Sequence, residues 1–221
     1  MTWLRGALEA SALVVAALLL CLVVGFANPL PRPVVSTDSL GPDNGEIVAD
    51  YVDRASASLS GLTGGDARHW ALVSFAESAS TEQAVQVGVG ERIAQVLVRV
   101  PLDRVQTPVI TISVSGSPES ILGSEDAAAT TLQGSMGQWD RQSQIDAASA
   151  PRLAAGCDCV VGLIVHAAPD ALRAMEATEG VRAVEALPVG ATAGKFAVRA
   201  LLPDYVDVVG PLPDDGPVPS P

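Results

Sequence analysis

Residues Ala10 to Ala27 read ASALVVAALLLCLVVGFA and carry no charge over 18 positions. A helix rises about 1.5 Å per residue, so about 20 apolar residues cross the hydrocarbon of a bilayer. Extending the run back to Ala7 reaches that length, with Glu9 at headgroup level and residues 7–27 in contact with lipid. Arg5 and the α-amino group lie on one side of it. On the other side Arg32 is followed by Asp38, Asp43 and Glu46. The positive-inside bias then sets the N-terminus in the cytoplasm and the rest of the chain outside. The rival reading is a signal peptide with its apolar core at 12–24, cleaved near Ala27, where Gly25-Phe26-Ala27 supplies small residues; the product would be secreted. The length of the run and its weakly charged start favour the anchor. Cys21 follows Leu20, where a lipobox needs a small residue, so it reads as an apolar side chain facing lipid.

The net charge is −12, and the apolar segment with its flank holds one Arg and one Glu, so the acidity belongs wholly to the exported part. Such a surface repels phosphate backbones, and no basic stripe is present, which argues against nucleic-acid binding. The charge suits solubility and cationic partners. Aromatic residues make up 4% of the chain, so the core must be aliphatic.

Five segments follow from the pattern. Residues 1–27 are the anchor or signal peptide. Residues 28–45 hold Pro29, Pro31, Pro33 and Pro42 and read as an extended linker. In 46–65 an amphipathic helix places Val48, Val52, Ala55, Leu59 and Leu62 on one face, with Asn44 as its cap and Gly61 as its stop. Asp50 and Asp53 on the other face would be repelled by anionic lipid, so packing on the domain is expected. Residues 66–203 form an α+β domain, and 204–221, rich in Pro and Asp, are expected as a disordered tail.

Within the domain, His69–Phe75 reads as a strand, and Ser80–Val85 as a helix with a capping start. Arg92–Val100 and Val109–Val114 are strands. Cys159–His166, apolar on both faces, is a central strand. Pro169–Ala177 is a helix, and Val181–Leu187 and Lys195–Leu202 are strands. Between the halves, Ser117-Pro-Glu and Ser124-Glu-Asp open one or two helices, with Leu132, Met136 and Trp139 on one face. Both halves run strand–helix–strand–strand, and Gly90-x-Arg92-x4-Leu97 aligns with Gly180-x-Arg182-x4-Leu187. The fold class is therefore α+β: an N-terminal transmembrane helix and one mixed or antiparallel sheet domain built from two degenerate βαββ halves. This order resembles ferredoxin-like modules, in which helices cover one face of an antiparallel sheet. The resemblance implies an architecture and no function.

Cys157-Asp158-Cys159 is the most specific chemical feature. An exported pair defaults to a disulfide. An extended chain separates residues i and i+2 by about 6.5–7 Å at Cα, the far limit for bridging, so a bond there needs a bent and strained backbone. Strain raises the reduction potential, as a redox centre requires. A structural bridge, two thiols, and a redox or metal site all remain open. On a regular strand both cysteines would face the side of Val161, Leu163 and Val165, and His166 the side of Ile164, so no metal centre is nominated. His166 and Asp170 form a weak candidate general-base pair; the plain alternative is a strand-end histidine and a first-turn helix acid. Trp70 and Trp139 could line a ligand surface or fill the core. No Gly-x-Ser-x-Gly, phosphate loop or carboxylate pair is present, so no catalytic residue is named, an enzyme is disfavoured and no cofactor is expected.

The expected function is a membrane-anchored extracytoplasmic binding or adaptor domain with a protein partner in a bacterial envelope complex. A thiol–disulfide redox protein using Cys157 and Cys159 is one alternative. A protease-inhibitor or propeptide-like module is the other.

Overall fold

A computed structural model describes residues 38–220, apart from 63, 64, 136, 138 and 139. The anchor or signal peptide, the linker up to residue 37, Met136 and Trp139 lie outside the described residues. No helix among the described residues is long and apolar enough to cross a membrane.

The described part is α+β. In chain order it runs β1 (Ser39–Leu40), α1 (Val48–Ser60), β2 (His69–Ala79), α2 (Thr81–Val87), β3 (Arg92–Val98), β4 (Ile110–Ser113), α3 (Pro118–Leu122), α4 (Ser124–Ser135), α5 (Arg141–Ala154), β5 (Val160–Ala167), α6 (Pro169–Glu176), β6 (Val181–Ala186) and β7 (Ala197–Val198). Five strands form one sheet in the order β4-β3-β5-β2-β6, and every neighbouring pair is antiparallel. It follows that β2 and β3 run parallel to each other on either side of β5, with α2 connecting them. By the same logic β5 and β6 run parallel on either side of β2, with α6 connecting them. Two split β-α-β units thus interlock, each placing a strand between the two strands of the other.

Local chemistry explains the punctuation. Ser80 and Gln83 form a reciprocal capping box on α2: Gln83 N–H donates to Ser80 Oγ at 3.3 Å, and Ser80 N–H to Gln83 Oε1 at 2.8 Å. Ser117 caps α3, and Asp140 caps α5 by accepting from Ser143 N–H at 2.8 Å. Pro169 occupies the first turn of α6, where its missing N–H costs nothing. The segment between β4 and β5 holds three helices rather than one or two, because Gly123 ends α3 and Asp140 starts α5 anew.

The sheet is covered on both faces. Ala71, Val73 and Phe75 of β2, Val96 and Val98 of β3, and Leu163 and Val165 of β5 face the helices. They meet Ala84, Ile121, Leu132, Leu153, Leu172 and Met175. The opposite face carries Leu72, Leu97, Val161 and Ile164, and it is covered by Leu40, Leu187, Ala200 and Leu202. At about 25 cal/mol per Å² of apolar surface, these two layers are the main source of stability. In β5 the pairing with β3 shifts register opposite Gly162. Val160 and Leu163 therefore face the helices together while Val161 turns to the other side, unlike a regular strand.

Three expectations need correction. The last strand shortens to β7, which leaves the main sheet and pairs in parallel with β1. The expected second strand–helix–strand–strand run therefore lacks its fourth strand in the main sheet, whereas β4 extends that sheet beside β3. The residues after it, Ala200 to Leu202, are used to cover the second face. Next, Asn44 does not cap α1. Ile47 occupies the cap position without a side-chain bond, and Val48 N–H donates to Asp207 O at 2.9 Å. Finally, the segment from 204 on is held against the domain. Val209 is buried, Gly45 N–H donates to Val209 O at 2.7 Å, and Gly216 N–H donates to Arg104 O at 2.8 Å. Arg141 pairs with Asp214 at 2.7 Å, and Arg104 with Asp215. Polar composition suggested disorder, but backbone bonds to α1 and the β3–β4 connection hold the segment.

α1 packs on β6 through Tyr51 and Ala55. Its buried end holds a polar node. Glu185, 5% exposed on β6, accepts from Gly41 N–H at 2.6 Å, from Tyr51 O–H at 3.3 Å, and from Arg54. Arg54 also pairs with Glu46 at 3.0 Å. The Tyr51 hydroxyl is pushed well above its ordinary range, first by burial and then by the Glu185 carboxylate.

Candidate functional site

After Gly156 the chain bends, and Cys157 and Cys159 are joined by a disulfide with their Cα atoms 5.3 Å apart. That separation is inside the ordinary bridging range, which the extended geometry was not. The two sulfurs differ in exposure: Cys157 is half-buried at the edge of the helix-side core, and Cys159 is 1% exposed within it. Both line a cleft of about 380 Å³ together with Val100, Pro101, Arg152 and Asp158.

Glu125, in the first turn of α4, faces the same turn. Its Oε2 accepts from Cys157 N–H at 3.2 Å. Its Oε1 is buried without a partner, the only such carboxylate oxygen among the described residues. The residue is 6% exposed. Burial pushes its carboxyl above the usual range, against the lowering effect of the Cys157 bond, and Glu82, Asp158 and Asp126 push in the same direction as burial. No sequence pattern announced Glu125, because first-turn acids are ordinarily solvated and favoured by the helix dipole.

A stability test follows. A carboxyl whose folded pKa is raised holds its proton at pH values where the unfolded chain has lost it. Stability therefore falls as pH rises through that window. Glu125→Gln keeps an acceptor for Cys157 N–H and removes the buried charge. The variant should unfold at higher denaturant than wild type at pH 7. The gap should close as pH falls into the carboxylate range. Equal midpoints at both pH values would count against the raised pKa.

His166 and Asp170 are not brought together as a pair. His166 lies on the second face and stacks on Trp70, with centroids 4.6 Å apart. Its imidazole pKa is lowered, first by burial and then by Arg68 and Arg92. Asp170 pairs instead with Arg173 at 2.9 Å in the exposed first turn of α6. Trp70 is half-buried between His166 and Phe196. His69 Nδ1 lies 2.8 Å from Leu187 O. Among the described residues no group of three His, Cys, Asp or Glu side chains could hold a metal ion.

A larger cleft of about 580 Å³ opens where β2 runs on past β6 and bulges away from β5 before pairing with it again at Ala79. The ladder to β6 ends at Phe75–Val181, and the ladder to β5 skips from Ser74 to Ala79. Glu77 and Ser78 therefore have no register partner. Glu77, Glu82 and Glu179 line the cleft together with Gln83 and Gln86 of α2. Sequence reading missed it, since it exists only through the different lengths of three strands. Comparison with protein-family models, with curated proteins and with solved structures returns no match.

Proposed function

We propose that this chain is a single-pass, membrane-anchored domain on the extracytoplasmic side that works by binding a protein partner, as an adaptor within an envelope complex. The apolar run 10–27 supports the anchoring. The Cys157–Cys159 bond supports an oxidising compartment. Secretion after cleavage near Ala27 would place the same domain in the same compartment.

We also read the interlocked β-α-β units as a degenerate ferredoxin-like duplication. Gly90 and Gly180 stand just before β3 and β6, the second strands of the two units, and their φ angles are +82° and +86°. The shared left-handed backbone of the two glycines supports this reading.

The observation that carries the binding reading is the Glu77–Ser78 stretch of β2, which lacks a ladder partner and borders the acidic cleft. Unpaired strand backbone accepts an extended segment by main-chain hydrogen bonds, and a rim of Glu77, Glu82 and Glu179 selects a cationic one. A photo-crosslinking residue at Ser78 of the full chain, in native membranes, should trap one discrete adduct. The adduct should disappear when Glu77 and Glu179 are both changed to Lys, and the same probe at exposed Asp103 should trap none. Failure at Ser78, or equal trapping at both positions, would remove the reading.

A further inference from the structure

The Cys157–Cys159 bond adds little as a staple. Cross-linking stabilises a protein mainly by restricting its unfolded chain, and the effect shrinks with the loop closed. Here the loop encloses one residue. The surrounding core already packs both cysteines without needing the bond to hold distant elements together. The bond nevertheless sits beside an open cleft, with one sulfur reachable, one buried, and a buried carboxyl against the same turn.

From this arrangement we infer that Cys157, Cys159 and Glu125 form a thiol–disulfide exchange site for a dithiol protein, with Glu125 as its acid–base group. This inference does not depend on the peptide-binding reading. The half-buried Cys157 is the sulfur open to attack. A thiolate of the incoming dithiol, its proton released to solvent, attacks Cys157 Sγ. A mixed disulfide forms, the Cys157–Cys159 bond breaks, and its electron pair passes to Cys159 Sγ. A thiolate in the core is unfavourable unless neutralised. Glu125 in its protonated form supplies that proton. The partner's second thiol then loses its proton to solvent and attacks its own mixed-disulfide sulfur, and the Glu125 carboxylate regains a proton from solvent. Cys157 leaves as a thiolate and takes a proton from solvent. The partner is oxidised to a disulfide, the protein is reduced to a dithiol, and Glu125 is restored.

The charged groups facing the carboxyl are Glu82 from α2, Asp126 from α4 itself, and Asp158 from the turn before β5. All are acidic and favour its protonated form. Arg152, at the end of α5, also lines the cleft, with its guanidinium donating to Ala148 O.

The test uses the full-length chain in detergent with dithiothreitol as the dithiol probe and oxidised glutathione as a disulfide probe. Thiol alkylation reads out the redox state. Wild type should be reduced by dithiothreitol while its circular dichroism stays native. In Cys159→Ser the free Cys157 thiolate should attack oxidised glutathione, which leaves a glutathione mixed disulfide on Cys157 and releases one reduced glutathione. Glu125→Gln should be reduced about 100-fold more slowly at neutral pH, at the low end of what a positioned acid contributes. It should also lose the pH dependence that wild type shows, and Glu125→Asp should restore part of it. The inference is overturned if the wild-type bond resists dithiothreitol until the domain unfolds. It is equally overturned if Glu125→Gln is reduced at the wild-type rate across pH, or if oxidised glutathione leaves no mixed disulfide on Cys157 in Cys159→Ser.

Discussion

Replacing Gly41 with alanine is expected to destabilise the fold by about 2–5 kcal/mol. Gly41 has φ +103°, a backbone conformation that costs an L side chain about 1–2 kcal/mol. A Cβ at this position would lie 1.7 Å from the backbone oxygen of Arg199. That neighbour is backbone bonded to β1 through Arg199 N–H and Leu40 O at 2.8 Å, so it cannot swing aside as a side chain would. Overpacking of this kind adds about 1–3 kcal/mol. Relief requires parting β1 from β7 and withdrawing Gly41 N–H from Glu185. The measurement is the midpoint of chemical denaturation followed by circular dichroism, with the slope compared to confirm a common unfolded state. A loss under about 1 kcal/mol would mean that β1 is not held as described.

Glu185→Ala is expected to cost about 2–4 kcal/mol by the same measurement. The carboxylate is the shared acceptor for Gly41 N–H and Tyr51 O–H, and each donor left unpaired in a buried place costs about 1–3 kcal/mol. Arg54 contributes less, because its side chain is 45% exposed and keeps Glu46 as a partner. Glu185→Gln should lose less than the alanine variant, since an amide oxygen still accepts. The two sites share one hydrogen bond, so Gly41→Ala and Glu185→Ala together should cost less than the sum of the single changes. Strict additivity would show that Glu185 does not serve Gly41.

Much of the domain was legible locally. The run His69–Phe75 in β2, alternation in β3, the apolar run of β5, Ser80 and Pro169 at helix starts, and Gly61 at a helix end all state their structure within a few residues. The segments that misled are those whose structure depends on distant partners. Residues 204–220 have the composition of a loose tail, and bonds from Glu46, Arg104 and Arg141 hold them. Lys195–Leu202 has the pattern of a strand, yet the strand it pairs with is β1, two residues long and more than 150 positions away. The candidate site divides in the same way. The spacing of Cys157 and Cys159 drew attention at once. Glu125, 32 residues earlier, was invisible as a partner.

By itself the sequence determined the apolar run at 10–27, the placing of all net negative charge beyond it, the α+β class, and the presence of two nearby cysteines in the part that follows it. These follow from side-chain chemistry and short-range periodicity, which act over a turn of helix or a few strand residues. Tertiary structure alone decided the strand order, the covering of the second face, the overrun of β2 and the burial of Glu125 against Cys157. Each depends on which distant surfaces exclude water from one another, and hydrophobic burial is not directional, so no local pattern specifies it.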